Sequence, residues 1–123
     1  MSKFSIKDRI MSFNHAFNGF KVLLKSEHNA WIHTSLSTIA IALGFYFEIS
    51  NDEWVAVVLC IGMVISAEIF NTAIEHIANF VQPNQDERIK HIKDLGAAGV
   101  FITALAAFII GLIIYLPKIM ALL

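Results

Sequence analysis

The stretch SAEIFNTAIEH, Ser66 to His76, interrupts a long apolar run with two carboxylates and an asparagine. On a helix turning about 100° per residue, Glu68, Asn71, Thr72, Glu75 and Asn79 share an arc of about 100°. Glu68 lies about two turns deeper in the apolar run than Glu75. An ionisable group at that depth is expensive and usually functional. A carboxylate in apolar surroundings is a better general base near neutral pH than an exposed one, which is one task open to Glu68. The other task is metal binding. A carboxylate pair at an interface can hold Mg²⁺, which takes few protein oxygens and leaves room for phosphate.

Glu27, just before the first apolar segment, is the second carboxylate that topology offers to Glu75, while Lys93 and Asp94 reach the same boundary. A base, a metal pair and a lysine at one interface describe phosphoryl transfer to something dissolved in the membrane. Each residue also has a plainer role open to it. Glu68 could be hydrogen-bonded between helices, Glu27 and Glu75 could be interfacial charges, Lys93 could anchor the third span, and Asp94 could be that span's N-cap. His28, His33, His76 and His91 show no tight metal-ligand spacing and read as interfacial or packed. Neither a GxxxxGK[ST] loop nor the protein-kinase set of motifs occurs.

The elements that must position these residues are membrane elements. The chain has 123 residues, 57% of them hydrophobic, which leaves too little polar surface to cover a soluble globule. One all-α domain, 1–123, is expected. Its first 26 residues carry Ile6, Ile10, Phe13, Phe17, Phe20 and Leu24 as one apolar stripe, with Lys3, Lys7, Arg9, Lys21 and Lys25 around it. Such an amphipathic helix lies in the headgroup plane. Spans are predicted over about 30–49, 54–80 and 95–116, each able to cross about 30 Å of hydrocarbon. Ser50 with Glu53 forms a helix-start signal before the second span, Pro83 and Asn84 break that span, and Pro117 is expected to end the third. No cleavable signal peptide is expected, because the opening residues are charged throughout. Cys60 is alone in an apolar run and permits no intrachain disulfide.

Orientation follows from the basic residues. With the amino terminus in the cytoplasm, the surface-helix cations and Arg88, Lys90 and Lys93 all lie inside, and only Lys118 lies outside. The link holding Glu48, Asp52 and Glu53 has no basic residue, as the positive-inside rule expects of an exported loop. The carboxyl terminus is therefore expected outside.

The block EIFNTAIEH, followed at a distance by KDLGAAGV, fits E-x-x-N-[ST]-A-I-E and then K-D with small residues. This resembles the small integral-membrane prokaryotic diacylglycerol kinases, a family that includes undecaprenol kinases. AFNGFKVLLKSEHNAWIH looks like the family's amino-terminal region, and the surface helix with three spans matches its layout. The resemblance implies phosphorylation of a lipid hydroxyl with Mg²⁺ and ATP by a homotrimer with shared active sites, in the bacterial cytoplasmic membrane. Residue by residue, it implies Glu68 as general base, Glu27 and Glu75 as the metal pair, and Asn71 as the motif asparagine, flanked by Thr72 and Asn79. Nucleotide contacts are implied for His15, Glu27, Glu75, Lys93 and Asp94, and for the loop Asn84, Gln85 and Asp86. Two positions depart from the family pattern: His15 stands where many relatives have tyrosine, and Asn79 where many have aspartate. No nucleic-acid partner is expected.

The rival reading is a non-enzymatic membrane subunit, such as a small channel, with Glu68 lining a pathway. A channel needs a polar path to the far side. Beyond Glu68 the second span offers only Ser66 before Trp54. The acceptor alcohol, diacylglycerol or undecaprenol, is left open by these residues.

Overall fold

A computed structural model describes residues 3–123; Met1 and Ser2, the first two positions of the expected surface helix, lie outside the described residues. Four helices follow in order, α1 (Ile6–Ser26), α2 (His28–Tyr46), α3 (Asn51–Val81) and α4 (Glu87–Met120). Among the described residues there is no strand. Helices α3 and α4 are long and apolar enough to cross a membrane. Helix α2 has 19 residues but carries His28, Asn29 and His33 in its first turns, and it falls short of that standard.

Helix α1 starts at Ser5, whose side chain accepts from the Asp8 N–H. Its predicted apolar stripe is real but turned outward: Ile6, Ile10, Phe13 and Phe17 are all exposed. The α1 residue buried in the chain is instead Leu23. An outward apolar stripe on a basic helix suits a surface that meets lipid. Trp31 ties the next helix to it by donating from Nε1 to the Leu24 carbonyl at 2.7 Å. That bond sets the angle between α1 and α2 at the point where Glu27 is held.

Helix α2 ends in a compact reversal. Glu48 adopts φ 49°, the Ile49 N–H donates to the Gly44 carbonyl at 3.1 Å, and the Glu48 N–H donates to Phe45 at 3.3 Å. This is a Schellman closure, which satisfies the last carbonyls and favours glycine at the left-handed position. A β-carbon there costs roughly 1–2 kcal/mol, partly offset by the greater freedom of glycine in the unfolded chain. Glu48→Gly should therefore raise the unfolding temperature in detergent, with a gain of up to about 1 kcal/mol. An unchanged or lower melting temperature would contradict it. Ser50 and Glu53 then form the expected capping box, each side chain bonded to the other's backbone N–H.

The core lies at this same end. Ile49, Val57, Ile114 and Tyr115 are buried together, with Leu43, Phe47, Trp54 and Ile110 against them. Gly44 is needed here because a β-carbon on it would come within 2.6 Å of the Trp54 ring. Two polar ties close the layer: Tyr115 donates to the Ala40 carbonyl at 2.6 Å, and Lys118 pairs with Glu53 at 2.7 Å. The Lys118 partnership holds the Glu53 carboxyl below its usual range. Elsewhere α3 and α4 present Phe70, Phe101, Phe108 and Ile113 outward, a surface that water would not tolerate.

Two local expectations are corrected. Pro117 does not end the last helix but lies inside it, one turn before Met120. Proline removes one amide donor, and near the final turn that loss is small; Lys118 also folds its ammonium onto the Ile114 carbonyl at 3.2 Å. Asp94 is not an N-cap, because α4 begins at Glu87 and places it about two turns into the helix. The cap is Asp86, whose carboxylate accepts from the Arg88 N–H at 2.8 Å. Its additional pairing with the Arg88 guanidinium holds that carboxyl down at about 2.

Candidate active site

The polar face of α3 is graded in depth. Glu68 and Thr72 are buried, Asn71 and Glu75 are half-buried, and Asn79 is exposed. The helix thus carries one row of polar groups from a sealed interior to open solvent, next to the ends of α1 and α2.

Glu68 is 2% exposed. Its Oε1 is sealed and lies 3.1 Å from His33 Nε2 of α2, although the ring N–H is not aimed closely enough to make a hydrogen bond. Oε2 is not among the sealed atoms. Thr72 Oγ1 and Asn71 Oδ1 are also buried without a partner. Three unsatisfied polar atoms on adjacent turns are uncommon in a finished interior, where nearly all such atoms are paired. Their arrangement fits a site that a polar group enters. His33 was read from sequence as a packed or interfacial residue, and no spacing signal links it to Glu68, 35 positions away.

Glu27 stands between α1 and α2 in extended backbone, with its N–H bonded to the Leu23 carbonyl at 3.0 Å. Its carboxyl is raised from 4.5 to about 7, first by burial, then by the neighbouring Glu75 carboxyl, and last by the charge of Glu68. Burial leads the shift, and the neighbouring carboxyls add to it in the same direction. The pairing of Glu27 with Glu75 expected from the sequence is therefore what the fold brings about. The donor set fits Mg²⁺, a hard ion that takes one or two carboxylates and fills its remaining positions with water and phosphate oxygen. Among the described residues no group of three His, Cys, Asp or Glu side chains forms a fuller cage.

Asn71 positions this pair from below. Its Nδ2 donates to Glu75 Oε1 at 3.5 Å, a long bond, while its Oδ1 lies against Gly96 of α4. A β-carbon on Gly96 would run into that oxygen. Gly96→Ala must therefore rotate Asn71 away from Glu75. The expected result is a KM for Mg-ATP raised by roughly tenfold, in the range seen when groups that orient a metal ligand are lost. A steady-state titration checks it, and an unchanged KM would show that Asn71 has no such role.

Beyond Glu75, Lys93 donates to Asn79 Oδ1 at 2.5 Å and Lys90 pairs with Asp94 at 2.8 Å. The turn from α3 to α4 encloses an open cleft of about 720 Å³ lined by Asn84, Gln85, Asp86, Lys90, Lys93 and Asp94, among others. Five of the expected nucleotide residues are thus brought to one cleft. His15, the sixth outside the carboxylate pair, is exposed on α1 and does not line it.

Residues 14–115 match the sequence profile described as prokaryotic diacylglycerol kinase. The chain belongs to that family. It is a lipid kinase, and its apolar helices are those of an integral membrane protein. The chain is 36% identical over 107 residues to an undecaprenol kinase of Bacillus subtilis, covering 87% of each chain. It is 29% identical over 116 residues to a diacylglycerol kinase of Synechocystis, covering 92% of this chain and 65% of that one. The kinase family implies ATP and a lipid acceptor for this chain.

Proposed function

We propose that this kinase transfers the γ-phosphate of ATP to the primary hydroxyl of undecaprenol at the cytoplasmic face of the membrane. The observation that carries the chemistry is the approach of Glu27, at the junction of α1 and α2, to Glu75 and Glu68 on the polar face of α3, one of the three sealed and two half-buried. The higher identity to the undecaprenol kinase favours the polyprenyl alcohol over diacylglycerol.

Glu68 is the general base. Its unsealed Oε2 takes the proton as the acceptor oxygen attacks phosphorus, and the buried Thr72 hydroxyl has a free bond to offer the same oxygen. Glu27 and Glu75 hold Mg²⁺, which when bound draws charge from the phosphate oxygens. Asn71 keeps Glu75 turned toward that position. Lys93, released from Asn79, offsets phosphate charge, and the cleft at Asn84, Gln85, Asp86 and Asp94 receives the rest of the nucleotide. His15, from α1, and Asn79 complete the nucleotide side by analogy with the family.

The remaining architecture supports this reading. Helices α2, α3 and α4 form three spans, with the amino terminus inside and the carboxyl terminus outside, so that eight of the nine lysines and arginines lie in the cytoplasm. The outward apolar faces of α3 and α4, and the small-residue row Gly99, Thr103, Ala107 and Gly111, suit close packing in a homotrimer whose subunits share sites.

Purified protein in detergent, given Mg-ATP with labelled γ-phosphate and either undecaprenol or diacylglycerol, tests the acceptor directly. Faster transfer to undecaprenol at equal mole fraction is expected. Preference for diacylglycerol would reverse the assignment of acceptor, and transfer to neither would remove the catalytic reading.

A further inference from the structure

We infer that His33 is the positioning residue of the base: its imidazole holds Glu68 Oε1 so that Oε2 alone is left to face the acceptor hydroxyl. The inference rests on the reading of Glu68 as general base.

Four observations support it. The two carboxylate oxygens of Glu68 are not equivalent, since Oε1 is sealed and faces His33 Nε2 at 3.1 Å while Oε2 is not sealed. The His33 side chain is itself 18% exposed, against 3% for Glu68, so the ring is held by α2 and reaches inward to its partner. Among charged groups, those bearing on Glu68 are His33, Glu75 and Glu27, of which only the histidine is a base that can pair with a carboxylate. Lastly, His33 forms one end of an apolar cavity of about 310 Å³ that runs between α2, α3 and α4 past Leu36, Ile61, Ala107 and Ile110 to Tyr115. His33 therefore stands where the polar row of α3 meets an apolar space.

The chemical reason for such a partner is general. A catalytic base works at full rate only when a third group fixes its orientation, since a carboxylate free to rotate spends most of its time misaligned with the proton it must take. The present contact is close but imperfectly aligned, as base contacts often are before substrate is bound. A small rotation of the imidazole converts it into a hydrogen bond. On the α4 side, Gly96 lies against Asn71, one turn away from Glu68.

The test is a cycle of variants in detergent, with kcat and KM for Mg-ATP measured separately. His33→Leu should lower kcat by about 10- to 100-fold, the usual cost of losing a group that orients a functional one, with KM for Mg-ATP unchanged. His33→Gln, whose amide nitrogen reaches the place of imidazole Nε2, should recover most of the loss. In a Glu68→Gln background, His33→Leu should cost nothing further, because a residue acting through Glu68 has nothing left to position.

A His33→Leu enzyme with wild-type kcat would overturn the inference, and so would an equal loss in the Glu68→Gln background. If the leucine variant does not fold, His33→Asn takes its place: its shorter amide cannot reach Oε1, so it should fall well below His33→Gln, and parity between them overturns the inference. Failure of the underlying reading shows separately, as a Glu68→Gln single variant that keeps the wild-type rate.

Discussion

Glu68→Ala should lower kcat for lipid phosphorylation by about 10²- to 10⁴-fold, the range that a positioned general base contributes. KM for Mg-ATP should be nearly unchanged, since Glu68 lies about two turns below Glu75 and the cleft proposed for the nucleotide lies beyond that. The variant should fold at least as well as the parent. An unpartnered carboxylate oxygen buried in a protein interior is a cost to stability, and alanine removes it. Loss of activity together with a higher unfolding temperature would separate a functional carboxylate from a structural one. A merely structural Glu68, bonded between helices, would lose both.

The second large effect concerns the pair Glu27 and Glu75. Replacing either with glutamine should lower kcat/KM for Mg-ATP by at least about 10²-fold, because Mg²⁺ bound by one or two carboxylates loses much of its protein coordination. Excess Mg²⁺ should restore part of it. The pH dependence has a defined sign. With the Glu27 carboxyl at about 7, a proton competes with the cation, so apparent Mg²⁺ affinity should rise as pH increases through about 7 and level off above it. Stability moves the other way when no cation is present. Between the ordinary value of 4.5 and about 7, the unfolded chain has released this proton while the folded chain keeps it, so the fold weakens as pH rises through that window. Saturating Mg²⁺ should abolish that decline. Thermal unfolding at pH 5 and pH 8, with and without Mg²⁺, measures all of it, and an identical pH response in both conditions would exclude the pair as the cation site.

Much of this was legible in the residues. The polar row of α3 follows from helical spacing alone, and its gradient of burial is the expected consequence of a helix running out of the apolar layer. The capping box at Ser50 and Glu53 was equally plain, because both halves of the motif are local. The pairing of Glu27 with Glu75 needed topology, yet a single turn between α1 and α2 was enough to suggest it. What the residues could not reveal depends on packing between distant segments. The approach of His33 to Glu68 is set by how α2 leans on α3, which Trp31 and the Schellman closure at Glu48 control from its two ends. The direction in which Leu23 is buried, beside the predicted stripe, is decided in the same way.

The two corrections share a cause. Helix α4 begins two turns before its apolar run, because the cap at Asp86 is a local polar signal independent of where hydrocarbon starts, and this moves Asp94 from a cap to a helix face. At the other end the helix outlasts Pro117 because proline costs little so close to the last turn. In both places the apolar segment is shorter than the helix that carries it. The extra turns are what carry Lys90, Lys93 and Asp94 to the cleft at the turn from α3 to α4.

The central claim is that Glu68 takes the acceptor proton in phosphoryl transfer. A single-turnover experiment tests it most directly: wild type and Glu68→Gln, each preloaded with Mg-ATP carrying labelled γ-phosphate and mixed with undecaprenol, are quenched over time. The two proteins should bind nucleotide equally, and label should appear in the lipid at least about 10²-fold more slowly in the variant. Label reaching the lipid at the same rate in both would contradict it.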